Sequence, residues 1–291
     1  MKIGLIGNNI SSSNAPDIHI RLAKIFQIPL EYLLFDLKDK EENYFVVLLE
    51  ELRVAGFKGV NITFPFKEKV IKHVDKISTN SRNVWSANTL IFKKKIIAQN
   101  TDYTGFLKTY NFHFGKNSPG TILVLGAGGV SRAVTFALAF LGVEKIFLID
   151  KDEIKAKSLS KDLSNLNINC VVTKPDQIEK NLSNFDGIIN CTPVGHYDFP
   201  GCPLGNLMPN KKQWIFDAVY TPAKTNFIKK GEQVGTKIIS GIDLFIFQAI
   251  DAFLYFTENK ENNHNLTNHV YKLRKHYFDK LFIWIKTCFQ K

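Results

Sequence analysis

Cysteine is scarce in this chain. There are four, Cys170, Cys191, Cys202 and Cys288, at irregular spacings and with no CxxC pair. That argues against a zinc site and a small disulfide scaffold, and it fits a reducing compartment. Long apolar runs are missing as well: none reaches the roughly 18 residues of a membrane-spanning helix, so no membrane partner is expected. Met1–Gly7 (MKIGLIG) has one lysine and an apolar stretch too short for a secretory signal, and reads as a buried strand. A cytoplasmic location is expected. Charge is plentiful but never in blocks. The formal net charge is +11, yet the densest basic groups are Lys93–Lys95, Lys211–Lys212 and Lys229–Lys230. Such scattered lysines read as solvated surface, with no nucleic-acid partner, although some could draw in a phosphorylated cofactor or an anionic substrate. Internal repeats are absent, and the one low-complexity stretch is a polar link at Asn259–Asn265 (NKENNHN).

What remains is a globular composition, 45% hydrophobic and 22% charged over 291 residues. That length suits two domains or one large one, burying roughly three quarters of the unfolded chain's surface. The first hundred residues alternate strands (Ile3–Ile6, Glu31–Phe35, Gly59–Thr63) with helical patterns (Pro16–Phe26, Asp39–Ala55, Lys67–Val74). Ala87–Phe92 and Ile96–Ile97 then read as a hairpin around Lys93–Lys95. After a Pro/Gly break near Ser118–Gly120, Thr121–Leu125 (TILVL) runs into Gly126-Ala127-Gly128-Gly129 and a helix stopped by Gly142. Further strands are read at Lys145–Ile149, Gly187–Asn190, Trp214–Ala218 and Lys237–Ile239, and the last fifty residues read as helical. Strand–helix alternation of this kind predicts an α/β fold with a nucleotide-binding βαβ series.

The glycine turn lets backbone approach a pyrophosphate, and the helix that follows offers unpaired N–H groups and a partial positive charge. Gly126, Ala127, Gly128, Gly129 and Val130 are the candidate contacts. Ser131 stands where the third glycine of the GxGxxG fingerprint would be, so a tight turn with no ligand is the competing reading. Asp150 ends the next strand, where a carboxylate accepts hydrogen bonds from the adenosine ribose of NAD. A 2′-phosphate would meet that carboxylate at a cost of roughly 1–4 kcal/mol at about 4 Å, which favours NAD over NADP. Lys151 and Lys155 pull the other way, and a plain helix-capping role for Asp150 stays open.

The N-terminal half holds the polar runs Asn61–Glu68 (NITFPFKE), Ala87–Leu90 (ANTL) and Asn100–Phe106 (NTDYTGF). They follow Gly4–Gly7, Ser13, Pro16 and His19. They precede Leu125–Ala133 (LGAGGVSRA), Ile189–Gly195 (INCTPVG), Phe216–Pro222 (FDAVYTP) and Gly241–Phe253 (GIDLFIFQAIDAF). In this order, over about residues 1–258, the chain resembles the shikimate dehydrogenase family.

The resemblance implies reversible reduction of 3-dehydroshikimate to shikimate with NAD or NADP, a step toward aromatic amino acids. Lys67 and Asp102 match the family's catalytic pair, with the lysine supplying a proton as hydride transfer leaves an alkoxide. Thr63, Asn88 and Gln248 match residues that hold ring hydroxyls. Ser13 and Tyr220 match those that hold the carboxylate, and Thr192 and Gly241 fall in motifs at the cofactor. It also implies a substrate-binding, catalytic domain at residues 1–104 and a Rossmann-type dinucleotide-binding domain at 105–240. Helices at 241–291 would return to the catalytic domain. The ring would sit in a cleft that closes over the bound pair, with no metal required. A monomer or a homodimer is expected.

Three departures qualify this. The second serine of the carboxylate site is Ala15, and Ser12 replaces the histidine before Ser13. A lost hydroxyl donor to a charged acceptor costs roughly 1.5–3 kcal/mol, which Ser11, Ser12 or Asn14 would have to offset. Trp85 precedes Ser86-Ala87-Asn88 where small residues are usual, and it is expected to pack the core rather than the pocket. Asp150-Lys151-Asp152 replaces an Asn-Arg-Thr-like run typical of NADP users. These features motivate the alternative of an NAD-preferring quinate/shikimate dehydrogenase or related cyclohexane-carboxylate oxidoreductase. A ligand-binding paralogue without catalysis is a third reading. Residues beyond about 260 extend past the family's usual end, and the apolar face Val270, Leu273, Tyr277, Leu281, Trp284 and Ile285 is expected to pack within the chain.

Overall fold

The computed structural model describes residues 1–41, 43–259 and 264–288. The chain forms two compact α/β units. One holds Met1–Gly105 and the segment from Ile246, and the other holds Phe106–Phe245 and the last helix.

In the first unit, β1 (Lys2–Gly7), α1 (Ala15–Ile25), β2 (Glu31–Asp36), α2 (Tyr44–Val54) and β3 (Gly59–Ile62) alternate. Then come α3 (Phe66–Lys69), extended by a 3₁₀ turn, β4 (Lys76–Ile77), α4 (Thr79–Val84), β5 (Thr89–Phe92) and β6 (Ile96–Gln99). The sheet order is β2-β1-β3-β5-β6-β4. The first three strands are parallel, and β5 runs antiparallel to both β3 and β6. This geometry brings the ends of β1, β3 and β6 and the start of β5 to one edge. Phe45, Leu48, Leu49 and Leu52 of α2 close one face over Ile6, Val60 and Ile62. The helical pattern expected from Asp39 begins only at Tyr44. The polar residues before it offer the sheet no apolar face.

The chain passes into the second unit within α5 (Thr101–Phe114). There follow β7 (Thr121–Leu125), α6 (Gly129–Phe140), β8 (Lys145–Ile149), α7 (Glu153–Ser164), β9 (Cys170–Val172) and α8 (Pro175–Asn181). After these come β10 (Gly187–Asn190), β11 (Trp214–Asp217), α9 (Asn226–Val234), β12 (Lys237–Ser240), α10 (Gly241–Thr257) and α11 (His264–Cys288). All six strands are parallel, in the order β12-β11-β10-β7-β8-β9. This is the doubly wound Rossmann order, with its topological switch between β7 and β10. Strands buried on both faces explain why TILVL, GIIN and WIFD read as near-continuous apolar runs.

From Ile246, α10 belongs to the first unit, where Ala252 and Phe256 pack with Ile3, Leu5 and Tyr32. The last helix differs from expectation: it groups with the second unit instead. Its apolar face is buried at Val270, Leu273, Tyr277 and Leu281. The side chains of Trp284 and Ile285, expected on the same face, lie outside the described residues, as does part of the polar link before it. Among the described residues, no helix is long and apolar enough to cross a membrane.

Candidate active site

In the first unit the polar motifs converge at the sheet edge. Pro65 opens α3, and Phe66 anchors that short helix by stacking on Phe45, with centroids 4.5 Å apart and planes 6° from parallel. The next residue, Lys67, extends to Asp102 in the first turn of α5, with Nζ donating to Oδ2 at 2.6 Å. Both side chains are largely buried, at 18% and 10% exposure. A charge-assisted contact this short fixes the ammonium's position.

Asn88, just before β5, is oriented by its neighbours. Its Oδ1 accepts from the Thr101 backbone N–H at 2.7 Å and from the Thr101 and Thr89 hydroxyls. The oxygen is therefore committed inward, and the amide NH₂ is left to donate to a ligand. The Thr63 hydroxyl, after β3, has no protein partner among the described residues. Ser13 Oγ accepts from Ala15 N at 3.2 Å at the start of α1, which leaves the hydroxyl proton to donate.

Sequence reasoning missed the residues that hold these groups. Asn100 caps α5: its Oδ1 accepts from Tyr103 N, and its Nδ2 donates to the carbonyl and hydroxyl oxygens of Ser86. An asparagine ahead of a helical run is a readable N-cap signal. Gly105 lies against Gln248 of α10, where an added Cβ would stand 2.9 Å from the Gln248 backbone N and 3.0 Å from its Cβ. Gly105→Ala should therefore push Gln248 aside. A several-fold rise in the KM for a ring acid, with the KM for the cofactor unchanged, is the expected kinetic result. Equal values for both enzymes would remove Gln248 from the site.

In the second unit, the strand ends at the topological switch border a groove of about 360 Å³. Gly126, Asp150, Lys151 and Thr192 line it, with Pro175, Ile178 and Leu204 among its apolar walls. Gly126 has φ +101°, and a Cβ there would press on the Cys191 backbone at 3.0 Å. Ala127, Gly128, Gly129 and Val130 lead into α6, whose N-terminus has no side-chain cap. Gly128 faces open space, and the buried Ser131 hydroxyl has no hydrogen-bond partner among the described residues. A glycine cradle with open N–H groups and a groove beside it fits a dinucleotide pyrophosphate.

Asp150 does not cap α7; Asp152 does, accepting from Ile154 and Lys155 N–H. Asp150 instead accepts from Ala127 N at 2.6 Å and Asp152 N at 2.8 Å, which ties β8 to the glycine turn. Lys155 sits 3.7 Å from Asp152 on the surface.

Thr192 is held by Asn190, whose Oδ1 accepts from its N–H and hydroxyl. Asn190 donates in turn to buried Asp217, which also accepts from Thr225 Oγ1 and Val219 N. Burial pushes the Asp217 carboxyl up to about 6 despite these donors. Gly241 is placed farther along the sheet, at the end of β12. Its Cα packs so closely on Ala218 that a Cβ would meet the Ala218 carbonyl oxygen at 2.6 Å. Tyr220, two residues on from Ala218, stacks on Phe245. Among the described residues, no three His, Cys, Asp or Glu side chains are grouped to hold a metal.

These motifs have counterparts in known proteins. Residues 5–90 match the shikimate dehydrogenase substrate binding domain. A shikimate dehydrogenase (NADP+) of Clostridium botulinum is 31% identical over 252 residues, covering 86% of this chain and 93% of the relative. The chain belongs to the shikimate dehydrogenase family. The solved structure of a quinate dehydrogenase from Corynebacterium glutamicum in complex with NAD superposes with a TM-score of 0.86 at 27% identity. That match covers 96% of this chain and 99% of the other. The shikimate dehydrogenase of Aquifex aeolicus gives 0.80 at 27% identity, over 95% and 97% of the two chains.

Against the family pattern, Trp85 corrects the expectation of core packing. It is 51% exposed, at the C-cap of α4 with φ +52°. The reason is local: left-handed backbone at the helix end turns the indole outward, while Ser86 and Ala87 take the buried positions. Ala15 opens α1, and Ser11 and Ser12 lie in an exposed turn before it.

Proposed function

We propose that this protein is an NAD(P)-dependent dehydrogenase that interconverts 3-dehydroshikimate and shikimate. The observation that carries this is the Lys67–Asp102 contact, together with an Asn88 amide whose oxygen is committed to Thr101. A nicotinamide dinucleotide, when bound, takes up or delivers the hydride at the ring's carbinol carbon. Lys67 Nζ holds the proton that the ring oxygen loses on oxidation and regains on reduction. Its charge also stabilises the alkoxide as negative charge develops there. Asp102 keeps Nζ in place and accepts from a neighbouring ring hydroxyl. Asn88, Thr63 and Gln248 meet the remaining hydroxyls, and a site built this way rejects rings that lack them.

Ser13 donates to the carboxylate, and the family pattern gives Tyr220 the same role. With Ala15 in place of a second serine, the open N-terminus of α1 helps carry that charge. The dinucleotide is held by the turn from Gly126 to Val130, by Asp150 and Lys151, and by Thr192, with Gly241 at the edge of its site.

NAD is the favoured cofactor. Asp150 and Asp152 follow β8, and a 2′-phosphate bound at that strand end would meet their negative charge, while surface pairing of Lys155 with Asp152 reduces its pull on a phosphate. This favours a second reading within the same family, an NAD-using quinate/shikimate dehydrogenase, and the structural likeness to the NAD-bound quinate dehydrogenase supports it. The free thiols of Cys170, Cys191 and Cys202 suit a cytoplasmic enzyme.

Initial rates with shikimate and quinate, each with NAD and NADP, test the proposal. Turnover of shikimate, faster with NAD, is expected. Quinate as the better acid would favour the second reading, and no turnover with any pair would mean a ligand-binding paralogue. Asp150→Ala should cut any NAD preference by about tenfold or more, from one like-charge contact removed. An unchanged ratio would place the selectivity elsewhere.

A further inference from the structure

The last helix reaches the region of Tyr220 through a chain of side chains within the second unit. The Tyr220 ring lies flat on Phe245, with centroids 4.9 Å apart and planes 17° from parallel. Phe245 also meets Tyr277 of α11, edge-on at 5.2 Å and 89°. Tyr277 is fully buried and Phe245 nearly so, at 0% and 6% exposure.

One turn before Tyr277, Arg274 fastens the same helix to the start of α10. Its Nε donates to Asp243 Oδ1 at 2.5 Å and its Nη2 to Oδ2 at 3.3 Å. Asp243 is completely buried and also pairs with His113 Nε2 at 2.8 Å. The first turn of α10 is thus gripped at two points, Asp243 by charge and Phe245 by ring packing. Neither Asp243 nor Phe245 lines the groove beside Asp150.

We propose that Tyr277 is a positioning residue. It holds Phe245, and through Phe245 it sets the ring of Tyr220 in the orientation in which the Tyr220 hydroxyl meets the substrate carboxylate. This rests on the role given to Tyr220 above. It assigns the C-terminal helix a part in acid recognition. An edge-to-face pair is a directional contact, so a smaller aliphatic side chain such as leucine occupies part of the space without fixing the Phe245 ring.

The test is steady-state kinetics of shikimate oxidation with Tyr277→Leu, Tyr277→Phe, Tyr220→Phe and the double variant Tyr220→Phe/Tyr277→Leu. Tyr277→Leu should raise the KM for shikimate about three- to tenfold, with the KM for the nicotinamide cofactor unchanged. Tyr277→Phe keeps the ring and should stay within about twofold of the parent enzyme. In the Tyr220→Phe background, Tyr277→Leu should have no further effect on that KM, since the residue it positions no longer donates. Three results would overturn the proposal: an unchanged KM for shikimate in Tyr277→Leu, equal rises in both KM values, or full additivity in the double variant. Tyr220→Phe reports separately on the underlying reading. If it leaves the shikimate KM unchanged, Tyr220 is not a carboxylate ligand, and both ideas fall. If it raises that KM while Tyr277→Leu does not, only the positioning role is lost.

Discussion

Lys67→Ala is expected to lower kcat for shikimate oxidation by about 100- to 10,000-fold, the range for loss of a positioned acid–base group. The KM for shikimate should change by less than about threefold, because the proton and the charge of Nζ matter chiefly in the transition state. Asp102→Asn should fall between the two enzymes. It keeps a side chain that can accept from Nζ, but it removes the charge that anchors the ammonium at 2.6 Å. Steady-state kinetics on purified variants, with circular dichroism to confirm folding, settles the point. A Lys67→Ala enzyme with parental kcat would remove Lys67 from the mechanism.

The second large effect concerns acid stability, and the two units should respond in opposite directions. In the first unit, His19 is buried between Tyr32, at 5.0 Å, and Phe253 and Phe256. Burial lowers its pKa to about 3, outweighing a hydrogen bond with Asn61 that acts the other way. Below about pH 6.5 the unfolded chain takes up a proton that the folded unit refuses. The stability contributed by neutral His19 is whole above that pH and is lost progressively toward pH 3. Between pH 7 and pH 5 the loss is about 2 kcal/mol.

Asp217 in the second unit behaves inversely. With its carboxyl raised to about 6, protonation favours the folded form, and about 1 kcal/mol is gained over the same interval. Native-state hydrogen exchange, corrected for intrinsic rates, should show protection falling from pH 7 to pH 5 in β1 and β3 but not in β7 and β10. His19→Phe, which suits its aromatic surroundings, should flatten the loss in the first unit. The same pH slope in that variant would mean that another group controls it.

The second sheet was legible because its strands are buried on both faces and its turn is rich in glycine. Elements with little apolar surface were not. β4 has two residues and β9 three, and α7 buries only Ala156, Leu159 and Leu163 along a lysine-rich helix. At the candidate site, Lys67, Asp102 and Asn88 could be named because their motifs are distinctive and collinear. What orients them was not, since Thr101 and Ser86 act through partners distant in sequence and Gly105 through the absence of a side chain. Trp85 misled because large aromatics usually pack inward, whereas a left-handed residue at a helix end turned this one out. The attachment of α11 hid for a related reason. Its apolar stripe announces burial without saying against what, and the choice is made by Arg274 and the buried carboxylate of Asp243.

A crystal structure of the protein with shikimate and a nicotinamide cofactor bears most directly on the whole account. The oxygen on the reacting ring carbon should lie about 3 Å from Lys67 Nζ, with the flanking hydroxyls on Asp102 and Asn88. Shikimate seated with that oxygen out of reach of Lys67, or held by other side chains, would contradict it.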